Sequence, residues 1–90
     1  MKKIYKYDLS MEDRQIISLP LNSKILSVKD QYDGIVLYAL VDTEREEQEK
    51  HSIIIHGTGH SADDLEGYKF LGTVKLMNGQ LMFHVFYNLK

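Results

Sequence analysis

The stretch His56-Gly57-Thr58-Gly59-His60 places two imidazoles, a hydroxyl and two glycines at consecutive positions, directly after three isoleucines and before an acidic loop. Alternate glycines let a backbone turn sharply and present its N–H groups, and such a nest can hold a phosphate or a carboxylate. The histidines and Thr58 would add side-chain donors, and Lys69 downstream would add charge. This pattern gives an expected ligand-binding set of His56, Gly57, Thr58, Gly59, His60 and Lys69, with a small anionic or nucleotide-like ligand at the loop Gly57 to Asp64. A second reading stands beside it, in which the strand simply ends in a glycine turn. The stretch lacks the lysine of a P-loop and the full G-x-G-x-x-G spacing, and the chain has no room for a βαβ unit.

The same residues suggest two other chemistries, and spacing argues against both. His51, His56, His60 and His84, with Asp63, Asp64 and Glu66, supply metal-ligand types. Histidines four apart share a face only on a helix, and Gly57 and Gly59 oppose one there. On an extended strand His51 and His56 point to opposite faces. No metal and no cofactor are therefore expected. Ser52, Ser61, His60, Asp63 and Asp64 contain the types of a hydrolytic triad, but triads are defined by geometry and not by nearness in sequence. No catalytic residue is assigned. His84, between Phe83 and Val85, reads as a structural histidine hydrogen-bonded to a sheet. The aromatic set Tyr5, Tyr7, Tyr32, Tyr38, Tyr68, Tyr87, Phe70, Phe83 and Phe86 lacks the interleaved basic residues of a base-stacking surface, and is assigned to core or interface.

The elements that must position these groups are strands. Asn78-Gly79 between two alternating apolar runs marks a hairpin, because a type I′ turn needs positive φ at both central residues. Pairing Met77 with Gln80 puts Phe70, Val74, Leu76, Leu81, Phe83, Val85 and Tyr87 on the core face. Leu71, Thr73, Lys75, Met82, His84 and Phe86 fall on the other face. Leu71, Met82, His84 and Phe86 form the expected interface, since an apolar second face needs a cover. A second hairpin centres on Asp33-Gly34, with Lys24 to Gln31 leading in and the apolar run Ile35 to Val41 leading out. That run and Ile53 to Ile55 read as central strands covered on both sides. Ile4 to Leu9 alternates, with Tyr5, Tyr7 and Leu9 inward, and Gln15 to Leu19 is a further strand stopped by Pro20. Thr43 to Lys50 has a Thr43…Glu46 capping box but no apolar stripe, so it reads as a solvated connection of at most one or two helical turns. Together these give a single all-β, mainly antiparallel domain over residues 1–90. Its expected form is a small β-sandwich or open barrel of about six strands, with two β-hairpins and little helix.

Composition narrows the function. The formal net charge is -2, from 11 basic and 13 acidic residues. Nonspecific nucleic-acid binding needs a cationic surplus, so no nucleic-acid partner is expected. There is no cysteine, which excludes disulfides and thiolate metal sites and suits a reducing cytoplasm. The longest apolar run, Ile35 to Val41, is far shorter than the roughly 20 residues of a membrane-spanning helix. No apolar segment follows Lys2-Lys3, so a signal peptide and a membrane location are not expected. As alternatives to a small ligand, the acidic segment Asp42 to Glu49 or an exposed sheet face could block a basic host protein, or could serve a structural assembly component.

Several segments then support a comparison: IYKYDL from Ile4, IISLPLNSKILSV from Ile16, LYALVD from Leu37, IHGTGH from Ile55, FLGTV from Phe70 and FHVFY from Phe83. The chain resembles a family of small uncharacterised proteins found in phages, prophages and mobile elements. Gly57 to His60 and Phe83 to Phe86 are the most specific parts. The resemblance implies a cytoplasmic, non-enzymatic binding protein of phage type, of a kind used in counter-defence and prone to homo-oligomerise. It supplies no catalytic residues. The longer and more charged Asp42 to Lys50 connection departs from the pattern.

Overall fold

Alternating apolar and polar positions, interrupted by turns rather than by helix signals, produce seven strands in the computed structural model, which describes residues 1–89. They are β1 (Lys2–Leu9), β2 (Arg14–Pro20), β3 (Lys24–Gln31), β4 (Gly34–Asp42), β5 (Gln48–Gly57), β6 (Lys69–Leu76) and β7 (Leu81–Leu89). All pairings are antiparallel. A three-stranded sheet of order β1-β4-β3 packs on a four-stranded sheet of order β2-β5-β7-β6, which makes the domain a β-sandwich. No helix forms among the described residues, and none long and apolar enough to cross a membrane is present there.

The core lies between the sheets and follows the period of two. Ile35, Leu37, Ala39 and Val41 of β4 face Ile53 and Ile55 of β5, Val74 and Leu76 of β6 and Val85 of β7. The two strands expected to be central are central. Val36 and Ile54 are also buried, although neither belongs to that cluster; they occupy the opposite faces of their strands. The Thr43 to Lys50 segment forms no helical turn. Its last residues, from Gln48, join β5 and pair with Pro20, Leu19 and Ser18. The Thr43 hydroxyl donates to the Met1 carbonyl at 3.0 Å instead of capping a helix.

The C-terminal hairpin has the expected register from Leu76↔Leu81 to Gly72↔Val85. Between Gly72 and Phe70 the register shifts, and this β-bulge exchanges the faces of the two residues before it. Leu71, expected at the outer interface, turns inward and packs on the core. Phe70, expected in the core, is 59% exposed on the outer face and tilts against Phe86, with ring centroids 5.4 Å apart. Tyr5 also departs from its expected burial: it sits on the edge strand β1 and is exposed, while Tyr7 packs on the core.

The first hairpin turn is displaced by one position from its sequence signal, whereas the second keeps Asn78-Gly79 at its centre. Tyr32 (φ 50°) and Asp33 (φ 58°) are the left-handed pair, and Gly34 already belongs to β4 opposite Gln31. In the second turn Met77 (φ 52°), Asn78 (φ 57°) and Gly79 (φ 85°) are all left-handed. The tips meet, as the Met77 N–H donates to the Asp33 carboxylate at 2.8 Å. Tyr32, placed by its aromaticity in core or interface, is 97% exposed at this tip. A left-handed L-residue costs about 1–2 kcal/mol, part of which glycine avoids. Tyr32→Gly is therefore expected to stabilise the fold by roughly 0.5–1 kcal/mol in urea denaturation. A loss of stability would mean that the ring packs in solution.

Candidate functional site

The segment after Ile55 is a crossover from β5 to β6, which lie on either side of β7. It has to return along the sheet, and its side chains tie it there. The Asp64 carboxylate accepts from His56 Nε2 at 2.7 Å and from Arg14 Nη2 at 2.7 Å. Tyr68 and Ser52 join through their hydroxyls. Ser52, Ile54 and His56 share the outer face of β5, and Ile54 between the two anchors is fully buried. The crossover therefore acts as a strap over the outer face of the sheet.

This geometry uses much of what the sequence pattern offered to a ligand. The Thr58 N–H donates to the Met82 carbonyl at 3.3 Å, and the His60 N–H to the Gly57 carbonyl at 3.1 Å. The Thr58 hydroxyl meets His84 Nε2 at 2.7 Å, while the Thr73 hydroxyl meets His84 Nδ1 at 2.9 Å. His84 is thus held through both ring nitrogens. The His60 ring lies over Gly57, where a Cβ would come within 3.0 Å of it. Gly59 is left-handed at φ 89° and open. Lys69 does not join this cluster. It pairs with Tyr87, whereas Gly57 pairs with Phe83, a separation of roughly 13 Å along β7.

The His56 hydrogen bond, with Arg14 adding to it, holds the Asp64 carboxyl below its usual range. A carboxylate with a lowered folded-state pKa stabilises the fold above its unfolded value of about 3.9, and that contribution is lost as pH falls through the folded value. Asp64→Asn is expected to flatten the acid limb of stability below about pH 4 and to speed hydrogen exchange at Ile54. An unchanged acid limb would remove the strap assignment.

Lys69 instead lines a cleft of about 330 Å³ where the two sheets part, together with Lys24, Ile25, Glu49, His51 and Tyr87. β3 supplies Lys24 and Ile25, β5 supplies Glu49 and His51, β6 supplies Lys69 and β7 supplies Tyr87. His51 falls on the inward face with Ile53 and Ile55 and is only 5% exposed. Both its ring nitrogens are buried without a hydrogen-bond partner among the described residues. The nearest charge is the Glu49 carboxylate, 3.5 Å from Nε2, and that carboxylate accepts from the Asn22 N–H at 2.9 Å. A buried polar group without a partner costs about 1–3 kcal/mol, so this residue is the least explained by folding alone. The sequence pattern placed Lys69 in a site, offered His51 only as a metal-ligand type, and assigned neither Lys24 nor Glu49 to a cleft. The available signal was a titratable residue in register with the buried isoleucines.

Among the described residues, no group of three or more histidine, cysteine, aspartate or glutamate side chains could hold a metal ion. A family model described as Domain of unknown function (DUF7352) matches residues 1–90. No curated protein and no solved structure matches the chain.

Proposed function

The chain belongs to the family described as Domain of unknown function (DUF7352), and on that premise we propose that it is a non-enzymatic binding module that takes a small ligand between its sheets. The observation that carries this reading is His51, a buried histidine with both ring nitrogens unpartnered, in the wall of a cleft of about 330 Å³. A concave site with an apolar lining and a few convergent polar groups is the usual form of a small-molecule site. Binding rather than turnover is favoured because the histidine–hydroxyl and histidine–carboxylate contacts elsewhere are structural. His84 is held at both nitrogens and Asp64 is shared between His56 and Arg14.

The phage or prophage setting, a host cytoplasm and a counter-defence role belong to this reading and rest on the resemblance of Gly57 to His60 and Phe83 to Phe86. Self-association would use the outer face of β6 and β7, where Phe70 now stands beside Phe86. The reading through the acidic segment is less favoured, because Asp42 and Glu44 pair with the N-terminal ammonium and Glu49 is taken by Asn22.

The test is two-dimensional amide NMR of the full chain with a fragment library of neutral, cationic and anionic members. Shifts clustered on Ile25, His51, Lys69 and Asn88 are expected. If fragments of no charge class move those amides, the cleft is not a binding site.

A further inference from the structure

We propose that the cleft selects a small organic anion that carries a hydrogen-bond donor of its own, such as a hydroxy acid, an amino acid or a sugar phosphate. The inference rests on the cleft reading above and adds the chemistry of the ligand.

The charge argument starts from Lys24 and Lys69. They reach the cleft from different sheets, and neither has an ion-pair partner among the described residues. Among the described residues the one carboxylate in the wall, Glu49, is turned to the Asn22 N–H and to His51. Two ammonium groups against one carboxylate make the described lining positive in a chain of net charge -2. A concave site with low-dielectric walls focuses such a local field. An anionic group seated between the two lysines would gain charge-assisted hydrogen bonds from both.

The donor argument comes from His51. Its Nε2 is the nitrogen facing the Glu49 carboxylate, at 3.5 Å. That contact is not a hydrogen bond, and neither ring nitrogen has a partner among the described residues. In the neutral ring one nitrogen carries the hydrogen and the other only accepts. A ligand O–H or N–H that reached the accepting nitrogen would remove the cost of leaving it bare. Ile25, Tyr87 and Leu89 give the remaining wall its apolar part. The volume, about 330 Å³, stands at the lower end for small-molecule sites, which fits a single small molecule rather than a polymer.

The experiment is calorimetric titration of the full chain with three sets of probes. Glucose 6-phosphate, glutamate and lactate carry both features. Glucose carries donors without charge, and propionate carries charge without a donor. At least one member of the first set is expected to bind, and glucose and propionate at least about tenfold more weakly. Which member binds separates a phosphate from a carboxylate source. Lys24→Gln and Lys69→Gln should each weaken binding about tenfold, the value of one charge-assisted hydrogen bond. His51→Leu should erase the preference for lactate over propionate, a readout that a purely structural histidine would not move. Equal binding of glucose overturns the anion assignment and leaves the cleft reading standing. Equal binding of propionate overturns the donor assignment. Failure of all first-set probes at millimolar concentration overturns this inference, and the fragment experiment above then decides the cleft on its own.

Discussion

Replacing His51 with leucine is expected to raise the unfolding free energy by about 1–3 kcal/mol, the cost of a buried polar group left without a partner. For a domain of this size, that corresponds to a rise in Tm of roughly 4–8 °C for each kcal/mol. Leucine is close to histidine in volume, so neither a cavity nor an overpacked site should offset the gain. Glu49 does not become an orphan, because it keeps the Asn22 N–H. The variant should therefore be more stable and should lose its preference for a donor-bearing ligand. Such a trade is the usual sign that a residue is retained for function against stability. The check is urea denaturation of both proteins with a shared m-value. A destabilised variant would show that the imidazole is satisfied in solution, and the argument for the cleft would lose its main support.

The position of His51 was legible in the sequence, and its lack of partners was not. Counting by two from Ile53 and Ile55 places it inward. Whether a buried nitrogen finds a donor depends on Ser23, Lys24 and Asn88, which arrive from other parts of the chain. The hairpins show the same division. Asn78-Gly79 and the alternation beside it specify the pairing from Leu76 to Gly72, because turn chemistry and side-chain period are local. The Asp33-Gly34 signal is displaced to Tyr32-Asp33, where the Asp33 carboxylate can accept from Met77 in the other hairpin. That contact joins residues 44 positions apart and leaves no trace in a short window. The His56 to Asp64 stretch carried its residue types openly. Its role as a strap follows from β7 lying between β5 and β6, an ordering fixed by the packing of the whole sheet.

Gly72 is where the largest departure from the alternating pattern begins, and Gly72→Ala is expected to destabilise the domain by about 1–3 kcal/mol. A Cβ at this position would stand 2.9 Å from Val28 Cγ1, closer than two carbons can approach without one moving. Its φ lies outside the left-handed region, so backbone strain adds nothing and the contact alone sets the cost. Val28 is β-branched, with little freedom to rotate away, and it packs on the core. The contact brings β3 and β6 together across the sandwich although they share no backbone pairing. An isolated glycine inside a strand pattern signals such a close approach or a bulge, and here it accompanies both. The test is a double-mutant cycle. Val28→Ala removes the methyl groups that the added Cβ would strike, so the two changes together should cost less than their sum by about 0.5–3 kcal/mol. Additivity to within about 0.5 kcal/mol would mean that the sheets can separate there at no cost. Gly72 would then serve the bulge alone, and the inward turn of Leu71 with the outward turn of Phe70 would depend on β6 and β7 without help from β3.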